Sequence, residues 1–161
     1  MRLNLGCGDI LLQGFVNIDI KNIGGVAELD IREELPYLDD SIEGITISHT
    51  LSSIAEVHYP SMFRDFYRIL EDGGVIRITD DNHNQSIERF AELNFNAPEF
   101  KGRTSPTVMR KYLKNAGFEV FDVTFNETHF KNKSLIQVNH GRTDKEIYFH
   151  IEGVKNGKSK E

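Results

Sequence analysis

Two glycines one residue apart, Gly6-Cys7-Gly8, close a short apolar run, Leu3-Asn4-Leu5. A turn without bulky side chains lets the backbone come within contact distance of a ligand. Asp19 ends the next alternating segment, Val16-Asn17-Ile18, where a carboxylate can accept hydrogen bonds from both hydroxyls of a ribose. Asp30 follows a third segment, 26–29, in a place to accept from an adenine amino group or to cap its own loop. Ligands of open α/β sheets sit at the carboxyl ends of strands, so the three features together suit a nucleotide-like ligand. Each also has a plainer reading: a tight turn for the glycines, a turn aspartate before Lys21-Asn22, a cap beside Ile31-Arg32.

Proton chemistry has its own candidates. His49 follows an apolar run, 44–48, and Asp80-Asp81 follow another, 75–79. Histidine exchanges its proton near neutral pH, which suits a general base. His49 and Asp80 are the expected catalytic groups, with Asp81 and His83 as further candidates. Against this, His49 also suits a structural or cofactor-adjacent place, and Asp80-Asp81 suit a cap on the segment that follows. His58, His129, His140 and His150 are scattered and no cysteines pair, so no metal site is expected. Cys7 reads as a small packing residue, not a nucleophile.

These groups need strands to bring them to one edge. Strands are expected at 3–5, 15–20, 26–29 and 44–48, with a loop at 35–40 where a proline and paired aspartates favour turns. Met62, Phe63, Phe66, Tyr67 and Leu70 then recur at helical spacing after Tyr59-Pro60-Ser61. That helix is expected to stop at Glu71-Asp72-Gly73-Gly74, with a glycine as its left-handed cap. A fifth strand, 75–79, follows at once. A helix is expected from 85 to 93, with a loop from 94 to 102. Ser105-Pro106 opens a clear helix with Val108, Met109, Tyr112 and Leu113 on one face, ending at Gly117. Strand 118–125 changes face midway, by a bulge or because both of its sides are covered. Strand 146–154 puts Ile147, Phe149 and Ile151 on one face. Strands separated by helices imply parallel pairing, with an antiparallel partner available at the end.

At 161 residues and 39% hydrophobic content the chain is expected to form one domain, 1–154, with a flexible tail, 155–161. A formal charge of −6 argues against a nucleic-acid partner, because phosphate contacts need clustered Lys and Arg. No apolar run has the length of a membrane span, and the opening residues are too short and glycine-rich for a signal peptide. The lone cysteine excludes an intrachain disulfide, so a cytoplasmic location is the default.

Leu3-Asn4-Leu5-Gly6-Cys7-Gly8 resembles the first motif of class I S-adenosylmethionine-dependent methyltransferases, and Val16-Asn17-Ile18-Asp19 their second-strand motif. Asp30, then Glu34-Leu35-Pro36-Tyr37 and Asp40-Ser41-Ile42-Glu43-Gly44-Ile45, is similar to their acidic loop before strand four. Residues 63–78, with Arg68-Ile69-Leu70-Glu71-Asp72-Gly73-Gly74 inside, resemble the helix and fifth strand. Leu113-Lys114-Asn115-Ala116-Gly117-Phe118 is similar to the turn into strand six. The resemblance, to a small type 11-like member, covers roughly residues 2–125 in order. It implies a Rossmann-like doubly wound sheet of order 3-2-1-4-5-7-6 with strand 7 antiparallel, and S-adenosylmethionine as cofactor. Gly6, Cys7 and Gly8 would then pack beneath the methionine portion and Asp19 would hold the ribose. Asp30 and Ile31 would border the adenine, and Ser48 and His49 would line the site after strand four.

The chain departs from the family in two ways. A helical crossover needs roughly a dozen residues, and only about 9–14 separate the glycine turn from strand two, so a loop is expected there. Strand one starts almost at Met1, so the amino-terminal lid is expected to be missing. The segment 82–103, a homodimer partner, another subunit or a large acceptor would have to close the site. The expected function is methyl transfer to an oxygen or nitrogen acceptor on a small or medium-sized molecule. The alternative is a non-catalytic cofactor-binding or regulatory partner. A nicotinamide-dependent oxidoreductase fits worse, since its third fingerprint glycine is Leu11 here.

Overall fold

Alternating side chains give the sheet two unlike faces, one apolar and one polar. The computed structural model describes residues 1–22, 24–82, 104–132 and 148–157. The strands are β1 (Arg2–Leu5), β2 (Val16–Asp19), β3 (Ala27–Glu28), β4 (Ile42–Ser48), β5 (Leu70–Asp81), β6 (Glu119–Asp122) and β7 (Tyr148–Val154). They form one sheet in the order β3-β2-β1-β4-β5-β7-β6, with β7 antiparallel to both of its neighbours and the remaining pairs parallel. This is the order implied by the resemblance.

On the apolar face Leu3, Leu5, Ile18, Ile45, Ile47, Ile76, Ile78 and Ile151 are fully buried. They pack with helices α1 (Tyr59–Ile69) and α2 (Pro106–Ala116) through Met62, Phe63, Phe66, Met109 and Leu113. Burying each such side chain contributes about 1.5–3 kcal/mol, so this layer dominates the stability. α2 starts and stops as its sequence predicts. Ser105 Oγ accepts from the Val108 amide at 3.2 Å, and Gly117 at φ 110° forms the left-handed cap.

The other face is polar. Asn17, Asn4, Thr46, Arg77 and Glu152 stand side by side across five strands. Asn4 Nδ2 donates to the Ile10 carbonyl at 3.0 Å and to Asn17 Oδ1 at 2.8 Å. Asn17 Oδ1 also accepts from the Leu12 amide at 2.9 Å. The two asparagines therefore peg a non-helical link between β1 and β2 onto the sheet, in place of a crossover helix. Further along, Phe130 packs with Val75, Leu12, Phe15 and Val154. Gly44 makes room for it, because a Cβ there would strike the Phe130 ring.

Three local expectations change. α1 ends at Ile69, and Leu70 turns at once to extended backbone (ψ 137°) and opens β5. Gly73, at φ 76°, instead turns a loop-out in β5, where 71–74 lie opposite Glu43 alone. β6 ends at Asp122: Phe118 and Val120 belong to the helix-side core, while Phe121 on the other face stacks on His129 at 4.2 Å. The face change thus comes from a strand covered on both sides, not from a bulge. At the carboxyl end, Lys155 is tied to the β5 loop-out: the Gly73 amide donates to its carbonyl at 2.7 Å. Gly157 N donates to Asp72 Oδ1, so the chain expected to be a flexible tail from 155 is held at least to this point. The expected helix 85–93, the loop 94–102, His83, His140 and Ile147 lie outside the described residues.

Candidate functional site

A cleft of about 340 Å³ opens at the carboxyl ends of β1, β2 and β4. Gly6 (φ 65°) and Gly8 (φ 54°) form its floor in left-handed conformations that a residue with a Cβ adopts only at a cost. Gly6 is needed for space as well, because a Cβ there would collide with Thr50. Thr50 Oγ1 lies 3.0 Å from both the Gly6 and Ser48 carbonyls, which ties the turn after β4 to the glycine turn. Cys7 points away: it is buried, its amide donates to the Ile18 carbonyl at 3.0 Å, and it does not line the cleft. Burial, with the nearby Asp19 carboxylate, pushes its thiol pKa up and keeps it protonated.

Asp19 forms one wall. Its Oδ2 accepts from the Gly8 amide at 2.9 Å and its Oδ1 from the Lys21 amide at 3.1 Å. Each oxygen keeps a second lone pair for a ligand, since an ionised carboxylate offers about four acceptor sites. Ile20, Leu29, Ile31 and Ile54 supply the apolar part of the cleft. Asp30 is at its far end, gripped by Arg32: Nε lies 2.9 Å from Oδ1 and Nη2 2.6 Å from Oδ2. This fork holds the Asp30 pKa below the ordinary carboxylate range.

His49 lines the opposite end. Its backbone takes φ 53°, rare for a residue with a side chain, and its amide is held by the Thr79 carbonyl at 2.8 Å. Nδ1 lies 2.7 Å from Asp81 Oδ2, with the imidazole 45% exposed and the Asp81 side chain only 5%. Asp80, expected beside His49 as a catalytic group, has a different place. It is fully buried, and its carboxylate accepts from the amides of Leu51 (3.0 Å), Ser52 (3.3 Å) and Asp81 (2.8 Å). Asp80 thus caps the 3-10 turn Leu51–Ser53, and burial raises its pKa. Ligand atoms of His49, Asp80 and Asp81 come within 4.8 Å of one another, but Asp80 is committed to those amides. Asp81 is the acidic partner of His49.

The structure therefore brings Gly6, Gly8, Asp19, Asp30, Ile31 and His49 to one cleft and leaves Cys7, Ser48 and Asp80 behind its walls. Thr50, Arg32, Ile54 and Ser53 line the cleft without having been singled out in the sequence. For Thr50 no spacing signal exists, because its contact with Gly6 spans 44 residues.

No protein-family model and no curated protein sequence matches the chain. Solved structures do match its fold. A SAM-dependent methyltransferase from Archaeoglobus fulgidus superposes with a TM-score of 0.69 at 18% identity, over 96% of this chain and 85% of that one. An S-adenosylmethionine-dependent methyltransferase from Mesorhizobium loti matches with a TM-score of 0.61 at 12% identity, over 96% and 90%. A chain from the complex of the Haloferax volcanii Trm112 methyltransferase activator with a methyltransferase matches with a TM-score of 0.56 at 15% identity, over 97% and 82%. The chain has the fold of the class I S-adenosylmethionine-dependent methyltransferases.

Proposed function

We propose that the chain binds S-adenosylmethionine in this cleft and transfers its methyl group to an oxygen or nitrogen acceptor on a small or medium-sized molecule. The observation that carries the reading is the bare glycine floor of Gly6 and Gly8 beside the Asp19 carboxylate, at the carboxyl ends of β1 and β2. The cleft volume of about 340 Å³ lies within the range of small-molecule sites. Gly6 and Gly8 would take the methionine portion, Asp19 the ribose hydroxyls, and Ile31 with Asp30 the adenine. The cofactor supplies an electrophilic methyl on a sulfonium. The protein's part is to hold the acceptor in line and to accept its proton, and His49 is the candidate for that.

Calorimetric titration with S-adenosylmethionine, S-adenosylhomocysteine and NAD tests this. The two sulfur compounds bind, NAD does not, and Asp19→Ala weakens binding roughly 10- to 100-fold, the worth of hydrogen bonds to a charged group. Failure of both sulfur compounds to bind, or an unchanged affinity in Asp19→Ala, refutes the cofactor assignment.

A regulatory partner is the second reading. Ile10 and Leu11 expose 38% and 48% of their surface on the link that stands in place of a crossover helix. The fold match to the Haloferax volcanii complex gives the reading a precedent. Cofactor binding without transfer to any acceptor, together with a stable hetero-complex in light scattering, is its signature.

A further inference from the structure

We propose that His49 Nδ1 and Asp81 Oδ2 hold one divalent cation of the first transition row, such as Mn²⁺, at the end of the cleft where β4 and β5 stop. The site goes beyond the methyltransferase reading and is tested without a methyl donor or acceptor.

Asp81 Oδ2 is out of reach of solvent and accepts no hydrogen bond, although His49 Nδ1 is only 2.7 Å away. Distance is not what is missing, so the in-plane direction of the ring nitrogen passes beside the oxygen instead of through it. A buried carboxylate oxygen without a donor is costly and calls for a partner. Among the described residues the one ion pair of Asp81 is with His49. A cation in the ring plane beside Oδ2 satisfies both groups: it takes the nitrogen lone pair and brings positive charge to the oxygen.

The spacing selects the ion. Bonds from such a metal to imidazole nitrogen and carboxylate oxygen are about 2.0–2.2 Å long. Two ligands at right angles then stand about 3 Å apart, and two at the tetrahedral angle about 3.4 Å. The observed 2.7 Å is close to the edge of an octahedron and too short for a closed tetrahedral site. A nitrogen donor also disfavours Mg²⁺ and Ca²⁺, which take oxygen ligands. Asp80 comes within 4.8 Å of both ligand atoms but stays with its amides.

Both ligands are held in advance. The His49 amide donates to the Thr79 carbonyl at 2.8 Å, with the residue at φ 53°. The Asp81 amide donates to Asp80 Oδ1 at 2.8 Å, and its carbonyl accepts from the buried Thr104 Oγ1 at 2.7 Å. Such supporting contacts orient metal ligands. The scattered histidines predict no metal; the pair exists because parallel β4 and β5 end side by side, at Ser48 and Thr79. His49 is 45% exposed and lines the cleft, so the remaining coordination positions open there to water or to an acceptor atom. With the ion on Nδ1 the ring keeps its proton on Nε2 and is a ligand, not a base. The proton-accepting part given to His49 above then passes to a hydroxide on the ion, since a divalent charge lowers the pKa of bound water.

Electron paramagnetic resonance of free Mn²⁺ counts the ions bound by the full chain after stripping with chelator. One Mn²⁺ per chain is expected. His49→Gln and Asp81→Asn each weaken its binding at least about 10-fold, the least that disturbing the support of a ligand costs. Glu34→Gln, at an 82% exposed carboxylate elsewhere, leaves the affinity unchanged. The wild-type chain supplies a second readout that no variant has to fold for. Substoichiometric Mn²⁺ broadens the backbone amide signals of His49 and Asp81 ahead of those of His129 and Glu152. Four results overturn the site: no Mn²⁺ bound at about 1 mM, the weak limit of protein Ca²⁺ sites; an affinity unchanged in either variant; broadening that begins elsewhere; or displacement by an equal concentration of Mg²⁺. None of these readouts depends on whether S-adenosylmethionine binds.

Discussion

Arg77 Nη1 lies 2.7 Å from Glu152 Oε1 across β5 and β7, and neither side chain reaches solvent. Each partner has further hydrogen bonds. Arg77 donates to the carbonyls of Glu127 and Thr124, while Glu152 accepts from Thr128 Oγ1 and the His129 amide. The pair therefore fastens the segment after β6 onto the polar face of the sheet. Glu152→Gln removes one charge and leaves the other buried, at a cost of about 3–5 kcal/mol. Replacing both by methionine costs less than the single change, because no lone charge remains. Urea unfolding of the three proteins checks this. A Glu152→Gln cost below about 0.5 kcal/mol, typical of a surface site, refutes it.

Gly6 and Gly8 share a left-handed backbone but differ in their surroundings, and this separates two costs. A Cβ at Gly8 meets nothing within 4 Å, whereas one at Gly6 collides with Thr50. Gly8→Ala bears only the backbone cost of about 1–2 kcal/mol. Gly6→Ala adds overpacking of about 1–3 kcal/mol. Thr50→Ala should relieve part of the Gly6→Ala loss and none of the Gly8→Ala loss. Equal destabilisation of the two alanine variants in thermal unfolding contradicts the close packing of Thr50.

The strands were legible because alternation announces the buried face locally, as Val16, Ile18 and Ile45, Ile47 show, whereas their order in the sheet came only from the resemblance. Helix ends were legible where capping chemistry is local, as at Ser105 and Gly117, and misread where tertiary pairing decided. Leu70 fits the apolar stripe of α1, but pairing with Ile42 draws it into β5. The glycine floor and Asp19 follow from strand ends. The role of Asp80 does not, because adjacent aspartates look alike in sequence. Only the path of the 51–53 turn makes Asp80 a buried cap and turns Asp81 toward His49. Phe130 over Gly44 is likewise a contact that no local pattern announces.

The Arg32 fork on Asp30 makes a pH-dependent prediction. Hydrogen bonds from Arg32 hold the folded Asp30 pKa below its unfolded value. Its contribution to stability is therefore complete above the ordinary carboxylate range and is lost as pH falls through the lowered value. The effect is small and salt-sensitive, because Arg32 is 41% and Asp30 26% exposed. In Arg32→Ala the Asp30 carboxyl carbon should titrate at higher pH. An unchanged titration curve shows that the fork does not set the ionisation.

Lys155 is the test of where the folded unit ends. Its Nζ donates to Asp40 Oδ1 (2.5 Å) and to the carbonyls of Tyr67 (2.8 Å) and Leu70 (2.7 Å), and lies 4.8 Å from the centre of the Tyr67 ring. A cation at the carboxyl end of α1 satisfies carbonyls the helix leaves open and complements its dipole. Truncation after Gly157 keeps all of these contacts and should leave stability within about 0.5 kcal/mol. Truncation after Val154 removes them and should cost about 1.5–3 kcal/mol, the range for hydrogen bonds to a charged group. Lys155→Met keeps the apolar stem and loses the charge, so it isolates the electrostatic share. If truncation after Val154 is as stable as the full chain in urea, the Lys155 contacts do not contribute and the folded unit ends with β7.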